Sequence, residues 1–84
     1  MIAKAAIPTR VVRVHRREDG GFECRSEHAN HGPLGIDNHL GMALGTATRE
    51  ATAISREEGC RVIIEVELPN GKFKRERIIE PPAR

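Results

Sequence analysis

An Asn-Gly step at residues 70 and 71 constrains the fold of this chain more than any other feature. It separates residues 60–68, CRVIIEVEL, from residues 72–79, KFKRERII, and apolar and polar side chains alternate along both runs. Asn-Gly between two alternating runs predicts a tight β-hairpin, because both central residues of a type I′ turn need a positive φ.

A second hairpin is predicted nearer the N-terminus. Residues 9–17 and 22–27 also alternate, and they flank an Asp-Gly-Gly step at residues 19–21. The alternation turns Val12 and Val14 towards a core and Arg13 and His15 towards solvent. Both runs are therefore typical of strands in an antiparallel sheet that is covered on one side only.

One helix is predicted between the two hairpins. Residues 28–39 break every periodicity and predict a long loop, and the helix follows at about residues 38–58. Asp37 or Thr46 could cap its first turn, and Gly59 suits the left-handed residue that ends it. The apolar stripe of this helix comprises Leu44, Ala47, Ala51 and Ile54.

These elements predict the fold class α+β for the whole chain, taken as a single small domain of order β-β-α-β-β. We expect a four-stranded, mostly antiparallel sheet built from two hairpins, with one helix packed on one face. Residues 1–8 and 81–84 are expected to be frayed ends. Adjacent Ile78 and Ile79 interrupt the alternation of the last strand, which indicates either a β-bulge near Glu76 or a strand that extends past the core.

The core available to this chain is thin. It has 84 residues, of which 38% are apolar, and its only aromatic side chains are Phe22 and Phe73. A domain of this size usually needs disulfides, a metal or oligomerisation in addition to its core. Two cysteines do not make a disulfide framework, so the composition favours a homodimer or a protein partner.

The sequence carries no signal for export or membrane insertion. Residues 1–8 are too short for a signal peptide and lack a sustained apolar run, and no run of about 18 apolar residues could cross a bilayer. We therefore expect a cytoplasmic protein whose two thiols, Cys24 and Cys60, remain reduced.

Histidines concentrate around the predicted loop. Cys24, His28, His31 and His39 combine thiol and imidazole groups, the ligand types of tetrahedral zinc, although their spacing departs from that of known zinc knuckles. A Cys–His nucleophile pair with Asp37 as the orienting group is a further alternative. The simpler interpretation is polar loop histidines and a small buried cysteine, with no catalytic residue and no cofactor.

Basic residues form local clusters in a chain that is nearly balanced, with 14 Lys and Arg against 12 Asp and Glu. Such clusters could follow a phosphate backbone, but acidic residues are interleaved among them and no aromatic was expected to be exposed for base stacking. A solvated charged face is the alternative. The candidate nucleic-acid-binding residues are Arg13, Arg16, Arg17, Lys72, Lys74, Arg75 and Arg77.

An interaction module requires the fewest special assumptions. Free sheet edges can pair with another chain, and the isoleucines left over from the core could form a docking surface. We therefore expect a small non-enzymatic cytoplasmic binding or adaptor module that self-associates through its sheet or helix. Nucleic-acid binding is the first alternative and zinc binding the second.

Overall fold

The computed structural model describes residues 7–27 and 35–82, which form one helix and a five-stranded mixed sheet. The predicted α+β class is confirmed. The strands lie in the order β3-β2-β1-β4-β5, in which β1 and β4 are parallel and the other neighbours are antiparallel. The elements are β1 (Thr9–Arg16), β2 (Phe22–Ser26), β3 (Gly35–Asp37), α1 (Leu40–Glu58), β4 (Arg61–Glu67) and β5 (Phe73–Ile79).

The fifth strand, β3, lies within the segment that the sequence predicts as a loop. It pairs antiparallel with β2 at one edge of the sheet. A strand this short shows no alternation, and Gly35 and Asp37 are residue types that strands disfavour. These residues are therefore extended because their backbone pairs with β2, and local propensity does not predict a strand here. Residues 28–34 lie outside the described part of the chain.

The hairpin turn at residues 70 and 71 exists, but it is not of type I′. Gly71 has a φ of 83°, whereas no described residue other than glycine has a positive φ. The Gly71 amide donates to the Leu68 carbonyl at 2.9 Å, and the Leu68 amide donates to the Lys72 carbonyl at 2.7 Å. Pro69 favours the first central position of a type I turn, and Gly71 then supplies the left-handed residue of a longer loop.

The first hairpin repeats the same turn. The Gly20 amide donates to the Arg17 carbonyl at 3.1 Å, and the Arg17 amide donates to the Gly21 carbonyl at 2.9 Å. Gly20 has a φ of 88°, and the Asp19 carboxylate accepts a hydrogen bond from the Gly21 amide at 2.9 Å. The side chain of Asn70 makes the matching bond in the second hairpin. Both turns thus combine an Asx acceptor with a left-handed glycine.

Helix α1 begins at Leu40 without a side-chain cap. Its N-cap residue is His39, so the predictions of Asp37 or Thr46 as the cap are wrong. The Thr46 hydroxyl instead donates to the Asp37 carboxylate at 3.0 Å, which ties the helix to the end of β3. The predicted end is confirmed, because Gly59 follows the helix with a φ of 63°.

The core lies between α1 and one face of the sheet. Ala47 and Ala51 are fully buried as the stripe predicted, but Leu44 and Ile54 only pack against the edge of the core. The buried helix positions are small, so α1 approaches the sheet closely and removes little apolar area from water. The buried core comprises Val12, Val14, Cys24, Ala43, Ala47, Ala51, Cys60, Val62, Ile64 and Val66.

The predicted bulge in β5 is confirmed at Glu76. Arg75 and Arg77 pair with consecutive residues of β4, so Glu76 is the extra residue. The bulge reverses the alternation that follows it, since successive side chains of a strand point to opposite faces. Arg77 and Ile79 consequently lie on the face that packs against α1, whereas Ile78 lies on the opposite face.

Candidate functional site

The sheet is covered on one face only: within residues 7–27 and 35–82, no element packs on the face opposite α1. We call this surface the open face. Its side chains follow from the register of the strands and from the positions that α1 buries. The open face comprises Val11, Arg13, His15, Glu23, Arg25, Glu27, Ile36, Ile63, Glu65, Glu67, Phe73, Arg75 and Ile78.

An apolar row crosses three strands of the open face. Val11 on β1 stands opposite Ile63 on β4, and Ile63 stands opposite Ile78 on β5. Directly opposed residues in neighbouring strands lie close enough for their side chains to contact. Ile78 keeps 42% of its surface exposed. This apolar row is therefore continuous and faces solvent.

A charged row lies next to the apolar row. Arg13 stands opposite Arg25 on one side and Glu65 on the other. Its Nε donates to the Glu65 carboxylate at 2.8 Å, and its Nη1 lies 3.6 Å from the Glu27 carboxylate. The hydrogen bond to Glu65 is the largest effect on Arg13 and raises the pKa of its guanidinium. Arg75, opposite Glu65, makes no ion pair with any described residue.

A third row brings an aromatic ring to the open face. The guanidinium carbon of Arg13 lies 4.8 Å from the centre of the Phe73 ring. The imidazole of His15 meets the same ring edge-on, with the ring centres 5.3 Å apart, and its Nδ1 lies 3.8 Å from the Glu67 carboxylate. Phe73 is half-buried on the open face, because it lies two residues before Arg75 and therefore points to the same side of β5.

Acidic side chains balance most of the arginines of this face. Glu23 accepts hydrogen bonds from Arg25 and from Arg17, and the Arg25 bond lowers the pKa of the Glu23 carboxyl most. The Arg13–Glu65 pair joins neighbouring strands, whereas the Arg25–Glu23 pair joins two residues of β2. The open face therefore combines an apolar row with paired charges of both signs and has no strong field of one sign.

The candidate nucleic-acid-binding residues do not share one surface. Strand β4, which carries Glu65 and Glu67 on the open face, separates the basic residues of β1 from those of β5. Arg16 donates to the Glu67 carbonyl at 3.0 Å and lies over the Phe22 ring on the side of α1. Arg13 and Arg75 lie on the open face, Arg16, Lys74 and Arg77 on the side of α1, and Arg17 and Lys72 in the turns.

The candidate zinc ligands are spread across the fold as far as the structure describes them. Cys24 is fully buried in the core, and His39 lies at the start of α1. His28 and His31 lie outside the described residues. No group of three or more His, Cys, Asp or Glu side chains close enough to hold a metal occurs in the described ranges.

Burial also governs the chemistry of Cys24. Desolvation, with smaller effects of Glu50 and Asp37, raises the pKa of its thiol to about 11. A thiol with this pKa is protonated at neutral pH, whereas a nucleophilic cysteine acts as the thiolate. The side chain of Asp37, proposed to orient a histidine, accepts its hydrogen bond from Thr46.

No protein family model, no curated protein and no solved structure matches this chain. No helix among the described residues combines the length and apolar character needed to cross a bilayer.

Proposed function

We propose that this chain is a small non-enzymatic binding module that forms a homodimer by packing the open faces of two copies. The observation that carries the proposal is the uncovered apolar row of Val11, Ile63 and Ile78. A sheet with one apolar row exposed to water is stabilised when a second layer covers it. The open face of a second copy supplies such a layer.

The composition of the core supports the need for this layer. Its buried side chains are valine, isoleucine, alanine and cysteine, and neither aromatic ring is fully buried. Apolar area removed from water is the main favourable contribution to folding, so a core of small side chains leaves a small domain marginally stable. Both cysteines are buried free thiols, which supports a reducing compartment such as the cytoplasm.

The charges of the open face support a second copy as the partner. A two-fold axis parallel to the strands, between β1 and β4, exchanges these two strands between the copies. It sets Arg13 of one copy opposite Glu65 of the other, and Val11 opposite Ile63. It likewise sets His15 opposite Glu67. Such an interface is isologous, and close to its axis it opposes unlike charges and two apolar side chains. Further from the axis it sets Arg25 of one copy opposite Arg75 of the other. Packed sheets deviate from this alignment by about 30°, which leaves residues close to the axis opposed.

The size of the open face predicts weak association. The axis between β1 and β4 opposes four strands of each sheet and leaves β3 unopposed. Four strands spaced about 4.8 Å apart and about five residues long, at about 3.3 Å each, give a planar footprint of roughly 300 Å² per copy. Specific stable interfaces usually bury about 800 Å² per partner. We therefore expect a transient dimer whose population rises with protein concentration.

Sedimentation velocity over a wide range of concentrations tests this proposal. The wild-type protein should shift from monomer to dimer as its concentration rises. Ile63→Lys, which places a charge in the middle of the apolar row, should remain monomeric at concentrations where the wild type is dimeric. Met42→Lys is the control, because Met42 is an apolar residue on α1 that is 57% exposed and lies away from the open face. A wild-type monomer at the highest concentration, or equal dimerisation of Ile63→Lys, would contradict the proposal.

A further inference from the structure

A second surface, separate from the open face, lies where α1 runs beside β5. Strand β5 is the last strand of the sheet, and no described residue pairs with its outer edge. Two hollows lie along this boundary. One, of about 330 Å³, is lined by Leu44, Thr48 and Arg77, and the other, of about 220 Å³, by Thr52, Arg56 and Ile79. We call this surface, defined by these six residues, the edge groove.

The edge groove is positively charged. Arg77 donates from Nη1 to the Thr48 hydroxyl at 3.3 Å, and neither Arg77 nor Arg56 forms an ion pair with a described residue. Glu80 also lines the second hollow, but its carboxylate accepts a hydrogen bond from Arg61 at 2.8 Å. Two guanidinium groups therefore remain available in the groove, and guanidinium is the side chain best suited to bind a carboxylate.

The bulge at Glu76 creates this arrangement. Without the extra residue, the alternation of β5 would direct Arg77 to the open face and Ile78 towards α1. With the bulge, Arg77 lies in the edge groove and Ile79 packs against the core below it. Bulges commonly re-aim side chains next to functional sites.

We propose that the edge groove binds an extended acidic segment of a partner protein, which adds as a strand to the outer edge of β5. Strand addition lets the backbone of the peptide pair with the free edge, while alternate side chains enter the groove. The acidic side chains of the peptide would bind to Arg77 and Arg56. This surface lies outside the proposed dimer interface, so both can be occupied at once.

The spacing of the two arginines sets the spacing of the acidic residues. Arg77 bonds to Thr48, and Arg56 lies eight residues further along α1, which is about 12 Å at about 1.5 Å per residue. An extended strand covers about 13 Å in four residues, and residues four apart point to the same side. The preferred peptide therefore carries acidic residues at positions i and i+4.

A second copy of this chain is a poorer occupant of the groove. Self-pairing of β5 would bring two copies of a strand together that each carry Lys74, Arg75 and Arg77. Basic side chains on an edge strand oppose pairing between like edges. Arg77 of this strand, together with Arg56 of α1, attracts an acidic strand instead, so the electrostatics of the groove select the partner.

Fluorescence anisotropy with a labelled synthetic peptide tests the proposal. The probe is a nine-residue alternation of valine and threonine with glutamate at its third and seventh positions. Arg77→Gln and Arg56→Gln should each weaken binding about tenfold, because each removes a charge-assisted hydrogen bond. Arg75→Gln is the matched control: it removes an exposed arginine from the same strand, but from the open face. Circular dichroism of each variant establishes that it is folded.

Three comparisons separate this proposal from the alternatives. A peptide with glutamine in place of glutamate, and one with glutamates at its third and sixth positions, should bind more weakly than the probe. Ile63→Lys, which disrupts the proposed dimer, should bind the probe as the wild type does. The proposal would be overturned if Arg75→Gln weakened binding as much as Arg77→Gln does, or if the glutamine peptide bound as tightly as the probe. It would also be overturned if a single-stranded oligonucleotide displaced the probe at a lower concentration than the unlabelled peptide does.

Discussion

Arg13 on β1 and Glu65 on β4 stand directly opposite each other in the parallel pairing, with 2.8 Å between Arg13 Nε and Glu65 Oε1. Their side chains keep 36% and 23% of their surfaces exposed. Within one chain this pair bridges the two hairpins at the centre of the open face. In the proposed dimer, Arg13 of each copy also faces Glu65 of the other copy.

Charge reversal at these two positions should convert the homodimer into a heterodimer. A homodimer of Arg13→Glu would have four glutamates at the centre of the interface, and one of Glu65→Arg would have four arginines, so each variant alone should remain monomeric. An equimolar mixture should restore association, because every glutamate then faces an arginine of the other variant. Native mass spectrometry distinguishes the mixed dimer when one variant is isotopically labelled.

The double variant Arg13→Glu with Glu65→Arg provides the control for this experiment. It restores opposite charges both within and between chains, so it should form a homodimer again. If the single variants dimerise as readily as the wild type, or if the mixture contains only monomers, this two-fold arrangement is wrong. Salt should weaken the mixed dimer more than the wild type, since its association depends more on charge.

Ile64 and Ile78 offer the same side chain on opposite faces of the sheet. Ile64 is fully buried, and Ile78 is 42% exposed. Ile64→Ala should lower the free energy of unfolding by about 2 to 5 kcal/mol, because it removes buried methyl groups and leaves a cavity. Ile78→Ala should change it by less than about 1 kcal/mol in the monomer. Urea unfolding followed by circular dichroism at low concentration measures both, since the chain has no Trp or Tyr.

The same glycine-to-alanine change should have opposite effects on stability in a hairpin turn and in the helix. Gly71 has a φ of 83°, a conformation that costs about 1 to 2 kcal/mol for a residue with a Cβ. Gly71→Ala should therefore destabilise the fold by this amount. Gly41 lies in α1 with no atom within 4 Å of an added Cβ, so Gly41→Ala should stabilise it by up to about 1 kcal/mol. Thermal unfolding of the two variants should give shifts of opposite sign, and shifts of the same sign would contradict the turn geometry.

The sequence predicts those parts of the fold that depend on local patterns. Alternation placed Val12, Val14 and the core residues of β4 correctly, and the phase slip at Ile78 and Ile79 indicated the bulge. The prediction of a type I′ turn was wrong because Pro69, which precedes Asn70, favours a type I turn. Gly71 alone therefore has a positive φ in this turn. Strand β3 was missed because pairing with β2, rather than its own residues, makes it a strand.

The candidate surfaces depend on strand order, which local patterns do not contain. The parallel neighbours β1 and β4 bring Arg13 to Glu65 and build the apolar row, although these residues are far apart in the sequence. The same order separates the basic residues of β1 from those of β5. Individual side chains were assigned to faces from alternation, but only the sheet order shows which of them meet.

The burial of Cys24 predicts a specific loss of stability in alkaline solution. Burial raises the pKa of its thiol from 9.0 to about 11, so the folded state favours the protonated form. The stabilisation that follows is complete below the unfolded pKa and is lost as the pH rises from 9.0 through about 11. At about pH 11 the loss from this one group should be about 2 kcal/mol.

Urea unfolding of the wild type and of Cys24→Ala, each at about pH 8 and about pH 11, measures this loss of stability. Cys24→Ala lowers stability at both pH values because it leaves a small cavity, but its decrease between them should be smaller by about 2 kcal/mol. Other titrating groups are common to both proteins and cancel in the comparison. Equal decreases would show that Cys24 ionises in the folded protein as readily as in the unfolded chain, and its thiolate would then be available to a metal.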